Sequence, residues 1–416
     1  MTTYWTPCFH LYQPPTQDVQ ILKEIDKECY RPTFSILEKH DNVKFSVNIN
    51  TILIEMLYEY DLTDSIELLK NLVSEKKVEV LGTAKYHPIL PLIPEKEALH
   101  QIRMNEEING REFNKWEGKG FFPPELSINS KVAKIVRDLG YKWVILSGIA
   151  CPKEWPYDQI YSSPNGLQLF FRDDILSNKI AFNNITAKGF VKELNLIYKD
   201  KKVDNLNNTY VITAMDMETF GHHIKNYEII FLNKVLELIN DKKNIVIEFI
   251  SNLDQHFPIA NKKIIPRDSS WSTTSEDMEM NIPYPLWNHP ENNIHKFYWK
   301  IMQAMNNLIN LIDNLDTNNN WKIENYQKTA RWFYDRSLHS CPTWWANPQR
   351  GIWSPNLIFK GVELIMKSAL NAQLALVYAD KSNLGEGYFD SITYYQGLLL
   401  MELYTTSKKC RKLHQI

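Results

Sequence analysis

Two acids and two histidines directly follow an apolar run, and their types and spacing suit proton-transfer chemistry. Residues 210–215 (YVITAM) lead into Asp216 and Glu218, and His222 and His223 come after a glycine. Carboxylates act as general acids, general bases or nucleophiles, and histidine changes its charge near neutral pH. Asp216 and Glu218 lie two residues apart, so they share one face if the strand persists. Solvated loop acids would give the same local pattern, so the interpretation depends on the rest of the chain.

A third acid, Glu125, is placed in a different way. It follows the run 120–122 (GFF) and then Pro123 and Pro124, which restrict the backbone. Rigid placement suits a carboxylate that must stay in one position for chemistry. Two carboxylates facing each other across a pocket suit glycoside hydrolysis, in which one attacks or supports the anomeric carbon and the other protonates the leaving oxygen. The proton donor needs a raised pKa, and Glu218 is a like charge that can raise the pKa of Asp216.

The elements that would position these acids alternate between strand-like and helical runs. Strand-like runs occur at seven places: 4–9, 44–48, 78–81, 120–122, 143–146, 168–171 and 210–215. Their alternation with helical runs over about 230 residues favours a parallel α/β sheet, and a barrel over an open sheet. The run 245–249 fits an eighth strand or an edge strand, and residues 204–208 predict a turn before the last strand.

The carboxyl ends of the strands converge on one face of a barrel. The residues at those predicted ends are His10, Gln13, Asn48, His87, Glu125, Arg172, Asp173, Asp216 and Glu218. An isolated histidine such as His10 or His87 is more often structural than functional. The prediction of a site therefore depends mainly on Glu125 and Asp216.

The pattern changes after the last strand, and the change predicts the domain organisation. We expect a catalytic barrel at 1–255, a loop-rich connection at 256–290 that contributes aromatic side chains to the site, and a helical domain at 291–416 packed on the barrel.

Composition argues against several classes of protein and partner. The 416 residues carry a net charge of −2, so neither nucleic acid nor an anionic membrane surface is expected as a partner. Five scattered cysteines suggest reduced thiols, and the lack of a signal pattern or a membrane-spanning run favours a soluble cytoplasmic protein. The 12 Trp and 21 Tyr fit core packing, and they also suit stacking on sugar rings. The sequence does not set the oligomeric state.

Four motifs resemble the successive motifs of the family 57 glycoside hydrolases. They are 10–14 (HLYQP), 78–91 (VEVLGTAKYHPILP), 120–125 (GFFPPE) and 215–222 (MDMETFGH), in the family's order and within residues 4–225. The resemblance implies an α/β fold, an incomplete seven-stranded (β/α) barrel followed by a C-terminal helical domain. It also implies a retaining mechanism on an α-glucan or maltooligosaccharide, with no metal or organic cofactor.

Site residues carry over by position. Glu125 would be the nucleophile, Asp216 the general acid/base, and His10 a neighbour of the sugar at the point of cleavage. Further substrate contacts would be Gln13, His87, Arg172, Asp173 and Trp271, with Glu218 and His222 in supporting positions. The chain has Tyr12 where much of the family has a second histidine, and its third motif lacks a tryptophan common in the family.

Several activities remain open at this point. The leading hypothesis is an α-amylase-type hydrolase or a 4-α-glucanotransferase, and a branching enzyme is less favoured. A metal-dependent deacetylase-like or mannosidase-like enzyme would use His10, Asp216, His222 and His223 as ligands. A catalytically silent glucan-binding homologue would have no chemical need for Glu125. For a retaining enzyme we expect the Glu125 and Asp216 carboxyl groups about 5–6 Å apart, whereas roughly 9 Å would indicate inversion.

Overall fold

The structure is a computed structural model that describes residues 2–200, 208–317 and 319–413, without the side chains of 198–200, 412 and 413. Most of the turn predicted at 204–208 lies outside the described residues. The chain divides into two compact units, Met1–Ser275 and Glu276–Ile416. The boundaries predicted at 255 and 290 stay predictions.

The strands are short and mostly buried. In chain order they are β1 Thr3–Leu11, β2 Phe45–Ile49, β3 Val78–Val80, β4 Gly120–Phe121, β5 Trp143–Leu146, β6 Tyr161–Ser162, β7 Gln168–Phe171, β8 Thr209–Asp216, β9 Ile245–Ile247, β10 Ala346–Asn347 and β11 Ile352–Trp353. Apolar runs such as β5 and β8 are buried along nearly their whole length, as expected of parallel strands covered on both faces.

The helices alternate with the strands in the first unit and dominate the second. In chain order they are α1 Val19–Ile25, α2 Arg31–Lys39, α3 Thr51–Glu59, α4 Thr63–Ser74, α5 Glu95–Glu112, α6 Ser130–Asp138, α7 Asp174–Ala181, α8 Ala187–Asp200, α9 Lys234–Asn240, α10 Ser275–Glu279, α11 Asn293–Asp313, α12 Trp321–Ser337, α13 Cys341–Trp344, α14 Pro355–Tyr378 and α15 Ser382–Leu413. A π-helical turn, Asp26–Tyr30, joins α1 to α2. No helix in the described ranges has both the length and the apolar character needed to cross a membrane.

The first unit contains two sheets. One has the order β3-β2-β1-β8, with β9 also paired to β1, and all its pairs are parallel. The other has the order β4-β5-β7-β6, in which only β6 is antiparallel. The predicted parallel α/β architecture is confirmed. The predicted count of seven strands is not, because the two sheets hold nine strands across the described residues.

Backbone hydrogen bonds link the edges of the two sheets. Beyond β3, Gly82 N–H donates to the Gly120 carbonyl at 2.9 Å, and Phe122 N–H donates to the Gly82 carbonyl at 2.8 Å. Beyond β7, Asp173 N–H donates to the Ile212 carbonyl of β8 at 2.8 Å. The strand ends that carry the predicted site residues are therefore held together around one face. Residues 245–249, which the sequence left open, supply β9 at the edge of β1.

The second unit is mainly helical, as the sequence predicts, with one exception. A small antiparallel pair, β10 and β11, interrupts the helices. Pro348 begins its connecting turn, and Gly351 ends it at φ 74°, a left-handed conformation that favours glycine. Helical periodicity could not reveal two-residue strands, because they are too short to show an alternating pattern.

Candidate active site

Strand register brings the first motif beside the fourth. His10 near the end of β1 lies opposite Asp216, the last residue of β8, and opposite Asn48 of β2 on the other side. His10 is buried, and burial lowers its pKa to about 3, so the imidazole is neutral. The Asn48 amide Nδ2 lies 3.0 Å from His10 Nδ1. Because that amide group only donates, His10 Nδ1 accepts and its proton lies on Nε2.

Glu125 occupies a strained backbone position. Its φ is 58° and its ψ is 20°, within a 3₁₀ turn formed by Pro124–Leu126. A left-handed conformation is unfavourable for a residue with a side chain, and such strain is concentrated at functional sites. His87 shows the same feature, with φ 58°. These two positive-φ residues face each other, since His87 Nδ1 lies 3.7 Å from Glu125 Oε1.

Trp271 holds Glu125 at two points. Its backbone N–H donates to the Glu125 carbonyl at 3.0 Å, and its indole Nε1–H donates to Glu125 Oε2 at 2.6 Å. The loop that carries Trp271 is fixed by backbone bonds between Ser269 and Ile128, three residues beyond the acid. The position of the Glu125 carboxylate is thus fixed by a residue 146 positions away in the sequence.

The two candidate catalytic acids act on each other. Burial, and then the negative charge of Asp216, raise the pKa of Glu125 to about 8, and the Trp271 hydrogen bond opposes both effects. Burial raises the pKa of Asp216 to about 6, and the positive charge of Arg172 opposes the rise. A charge on one acid therefore changes the proton affinity of the other, which makes them one coupled pair.

Four rings form a continuous stack beside this pair. Tyr12 stacks on His87 at 3.9 Å between centroids, His87 on His10 at 4.9 Å, and His10 on Phe122 at 5.0 Å with only 2° between planes. Trp271 meets His10 edge-on at 5.6 Å. The stack orients the His10 ring through its faces, so its Nε2–H is the edge left for a ligand to recognise.

Arg172 connects the two halves of the site. Its guanidinium donates to the Ala214 carbonyl at 2.6 Å, to Asp174 at 2.7 Å and to Asn178 at 2.9 Å. It also lies 5.8 Å from the centre of the Trp271 ring. These bonds hold the charge beside Asp216 and against the tryptophan that binds Glu125.

Glu218 lies in a hydrogen-bonded network next to Asp216. The Tyr30 hydroxyl donates to its Oε1 at 2.5 Å, and Gln13 Nε2 donates to the same oxygen at 2.9 Å. Burial, and then the charge of Asp216, raise the pKa of Glu218 to about 7. Gln13 also accepts a hydrogen bond from Gln17. Glu218 and Gln13 thus form a layer behind the acids.

Two predicted residues have other partners within the protein. Asp173 caps α7, because its Oδ1 accepts from Leu176 N–H at 2.9 Å, and its Oδ2 accepts from the Tyr157 hydroxyl at 3.1 Å. His222 lies 3.0 Å from a Glu28 carboxylate oxygen, on a partly exposed part of the surface. These contacts give Asp173 a structural role and place His222 in a separate contact with Glu28, whereas their predicted roles toward substrate stay predictions.

No cluster of three or more His, Cys, Asp or Glu side chains capable of holding a metal ion is present in the part of the chain that the structure describes. A cavity of about 410 Å³ lies near the amino ends of β2, β3 and β9, away from Asp216. Lys77, at this cavity, donates to the Glu38 carbonyl near the end of α2, and Lys44 binds Glu248. Both lysines therefore already have partners within the protein. The cavity is separate from the candidate site because it lies at the amino ends of the strands, whereas the site residues lie at the carboxyl ends.

The family model for glycosyl hydrolase family 57 matches residues 7–267, which include most of β1, all of β2 to β9 and the site residues described above except Trp271. The chain belongs to glycosyl hydrolase family 57. The resemblance seen in the four motifs is thereby confirmed.

Relatives in family 57 differ in activity. An α-amylase from Pyrococcus horikoshii is 28% identical over 232 residues, which is 53% of this chain and 35% of that protein. A 4-α-glucanotransferase from Thermococcus litoralis is 26% identical over 186 residues, 42% of this chain and 27% of that protein. The crystal structure of a family 57 branching enzyme from Pyrococcus horikoshii superposes with a TM-score of 0.72 at 14% identity, covering 97% of both chains, which shows a shared fold. The chain matches less than half of the length of the curated relatives.

Sequence reasoning missed two members of this family 57 site. Tyr30 lies in the π-helical turn, and it reaches Glu218 across 188 residues of sequence. Phe122 completes the ring stack, although the sequence indicated only an aromatic before the two prolines. A helical turn of unusual width gives no apolar period of its own, so the local sequence offered no signal for Tyr30.

Proposed function

We propose that this protein is a retaining glycoside hydrolase or transglycosylase that acts on α-1,4-linked glucans. Glu125 forms the glycosyl-enzyme, and Asp216 is the general acid and then the general base. The observation that carries the proposal is the coupled pair: two partly buried acids at the carboxyl ends of β4 and β8, each with a raised pKa. Retaining enzymes need such a pair, with the carboxyl groups about 5–6 Å apart and one proton between them.

The proton must change place when the sugar binds. In the free protein the pKa of Glu125, about 8, exceeds that of Asp216, about 6, so the single proton of the pair lies mainly on Glu125. Attack on the anomeric carbon needs Glu125 ionised and Asp216 protonated. Positive charge that develops at the anomeric carbon favours the Glu125 carboxylate, and the Trp271 N–H at 2.6 Å favours it too. The leaving oxygen, in turn, receives the proton from Asp216.

The neighbouring side chains would bind the substrate and hold it in place. Neutral His10 offers an Nε2–H donor that suits a sugar hydroxyl, and it remains a donor throughout the neutral range because burial lowers its pKa to about 3. Tyr12, stacked on His87, is the outermost ring of the stack and only partly buried. We assign the contacts at the cleavage point to His10, with His87 and Tyr12 supporting its orientation.

We also propose that seven parallel strands form the barrel that frames the site. The strands β1, β2, β3, β4, β5, β7 and β8 follow one another through ladder pairs or through the bonds that link the two sheets. β6 and β9 would then be edge additions. This arrangement supports the incomplete barrel that the resemblance implies.

Transfer to a sugar hydroxyl is the second candidate, because the relatives of this chain include a 4-α-glucanotransferase in addition to α-amylases. The experiment is incubation with purified maltooligosaccharides and with amylose, followed by product chromatography. Shorter chains with new reducing ends mean hydrolysis, and a ladder both longer and shorter than the input means transfer. Glu125→Gln is the matched control. No product from any α-glucan, with a folded protein, would refute the proposed function.

A further inference from the structure

The last helix, α15, carries an exposed stripe of six residues. The stripe consists of Asp390, Tyr394, Gly397, Met401, Tyr404 and Lys408. Their spacing alternates between four and three residues, which keeps them on one side of a helix, as in a coiled coil. The opposite side is buried through Ile392, Leu399 and Leu403. The helix is therefore packed on one face and open on the other.

This open face is more apolar than a solvated helix surface requires. Tyr394 is 63% exposed, Met401 68% and Tyr404 63%. Large apolar side chains aligned in one exposed row are typical of an interaction surface. Gly397 lies among them with nothing within 4 Å of the position where a Cβ would be. Glycine inside a helix is destabilising relative to alanine, and a small residue allows another helix to approach closely.

The residues on the two sides of the stripe's centre are complementary in size and charge. Counted outward from position 399, Gly397 matches Met401, Tyr394 matches Tyr404, and Asp390 matches Lys408. In an antiparallel pair of helices related by a two-fold axis through position 399, a residue on one side of the centre contacts the residue that lies equally far on the other side in the second copy. Such a pair would place the methionine over the glycine, tyrosine against tyrosine, and acid against base at both ends.

We propose that this face pairs two copies of the chain through antiparallel α15 helices. The two-fold arrangement satisfies every position of the stripe at once, whereas a parallel pair would place Asp390 against Asp390 and Lys408 against Lys408. Within one chain, Lys408 Nζ already lies over the Tyr404 ring at 4.3 Å, so its charge stands at the place where the second Asp390 arrives. The proposal is independent of the proposed catalytic function.

The contact is short, and so it predicts a reversible dimer. The stripe spans 19 residues, from 390 to 408, and the 18 steps between its ends cover about 27 Å at 1.5 Å per residue. Leu400, 40% exposed, flanks the centre and can widen the apolar strip. We expect a concentration-dependent monomer–dimer equilibrium, with the two end pairs setting the antiparallel orientation.

Charge reversal with rescue tests the pairing. Sedimentation equilibrium of the whole chain over a wide range of concentration should show a dimer, and Asp390→Lys should raise the Kd by about tenfold or more, because like charges then meet at both ends. Lys408→Asp should do the same, and the double variant should restore the dimer. Lys409→Asp is the matched control, since residue 409 is rotated about 100° from the stripe. Circular dichroism and melting curves check that each variant folds.

Four outcomes would overturn the proposal. The wild-type chain could be monomeric throughout, or the single reversals could leave the dimer unchanged. The double variant could stay as weak as the single variants, or Lys409→Asp could weaken the dimer as much as Lys408→Asp does.

Discussion

Replacing Trp271 by phenylalanine tests the proposed roles of the two acids, with Glu125 as the nucleophile and Asp216 as the general acid/base. The variant removes the indole N–H that donates to Glu125 Oε2 at 2.6 Å while keeping an aromatic ring in place. A hydrogen bond to a charged group contributes about 1.5–3 kcal/mol, equivalent to roughly one to two pKa units. Without it the carboxylate form of Glu125 is less stable, and its pKa rises above about 8.

The effect on rate follows from the distribution of the proton. Because the pKa of Glu125 is higher than that of Asp216, the form with Glu125 ionised and Asp216 protonated is the minor form of the singly protonated pair in the free protein. A further rise of one to two units makes that form roughly 10–100 times rarer. We therefore expect kcat/KM on its plateau to fall by about 10–100-fold.

The pH dependence of kcat/KM distinguishes a role of Trp271 in the proton balance from a merely structural role, which would leave the limbs of the profile in place. The alkaline limb of kcat/KM reports loss of the last proton from the free pair, at about pH 8, and it should move upward in Trp271→Phe. The acidic limb, set near pH 6 by Asp216, should change little. Trp116→Phe is the matched control, because that indole donates to the Val80 carbonyl and to no acid. An unshifted alkaline limb in a folded Trp271→Phe protein would refute the reasoning.

Three further predictions concern the acids and their neighbours. Glu125→Gln should abolish turnover while glucan binding, measured by calorimetry, persists. Asp216→Asn should lower the rate of hydrolysis most for substrates with poor leaving groups. Full activity in both variants would locate the site elsewhere. Arg172→Met should raise the pKa of Asp216 and move the acidic limb of kcat/KM upward, because the variant removes the charge that opposes the effect of burial; an unmoved limb would contradict this. Asp173→Ala should lower the free energy of unfolding by about 1 kcal/mol through loss of the α7 cap, with Asp173→Asn close to wild type. A tenfold loss of kcat/KM in Asp173→Asn would instead indicate substrate contact.

The sequence predicted the strands well because each is a continuous apolar run. Trp143–Leu146 and Gln168–Phe171 have the bounds that the residues indicated. The edge strand Tyr161–Ser162 was missed because two residues carry no periodic signal. The location of His10 beside Asp216 followed from the parallel arrangement, since the carboxyl ends of neighbouring strands meet at one edge.

The finer structure of the site depends on contacts between distant parts of the chain. Two prolines indicated a rigid approach to Glu125, but its left-handed backbone is fixed by the Trp271 N–H. The capping role of Asp173 was readable in principle, because an aspartate directly before a helical run is a common N-cap. The Tyr30 contact with Glu218 depends on the packing of a π-helical turn, which local sequence does not specify.

The left-handed backbone at Glu125 also has a consequence for thermal stability. A non-glycine residue in that conformation costs on the order of 1–3 kcal/mol, and ionising a buried acid adds to the cost. Since the pKa of Glu125 is raised from 4.5 to about 8, its contribution to stability is fully present below pH 4.5 and is lost as the pH rises toward 8. Glu125→Gly should therefore melt at a higher temperature than wild type, with a gap that widens on going from pH 5 to pH 8. A chain freed from any need for the reaction would gain heat resistance by discarding this residue.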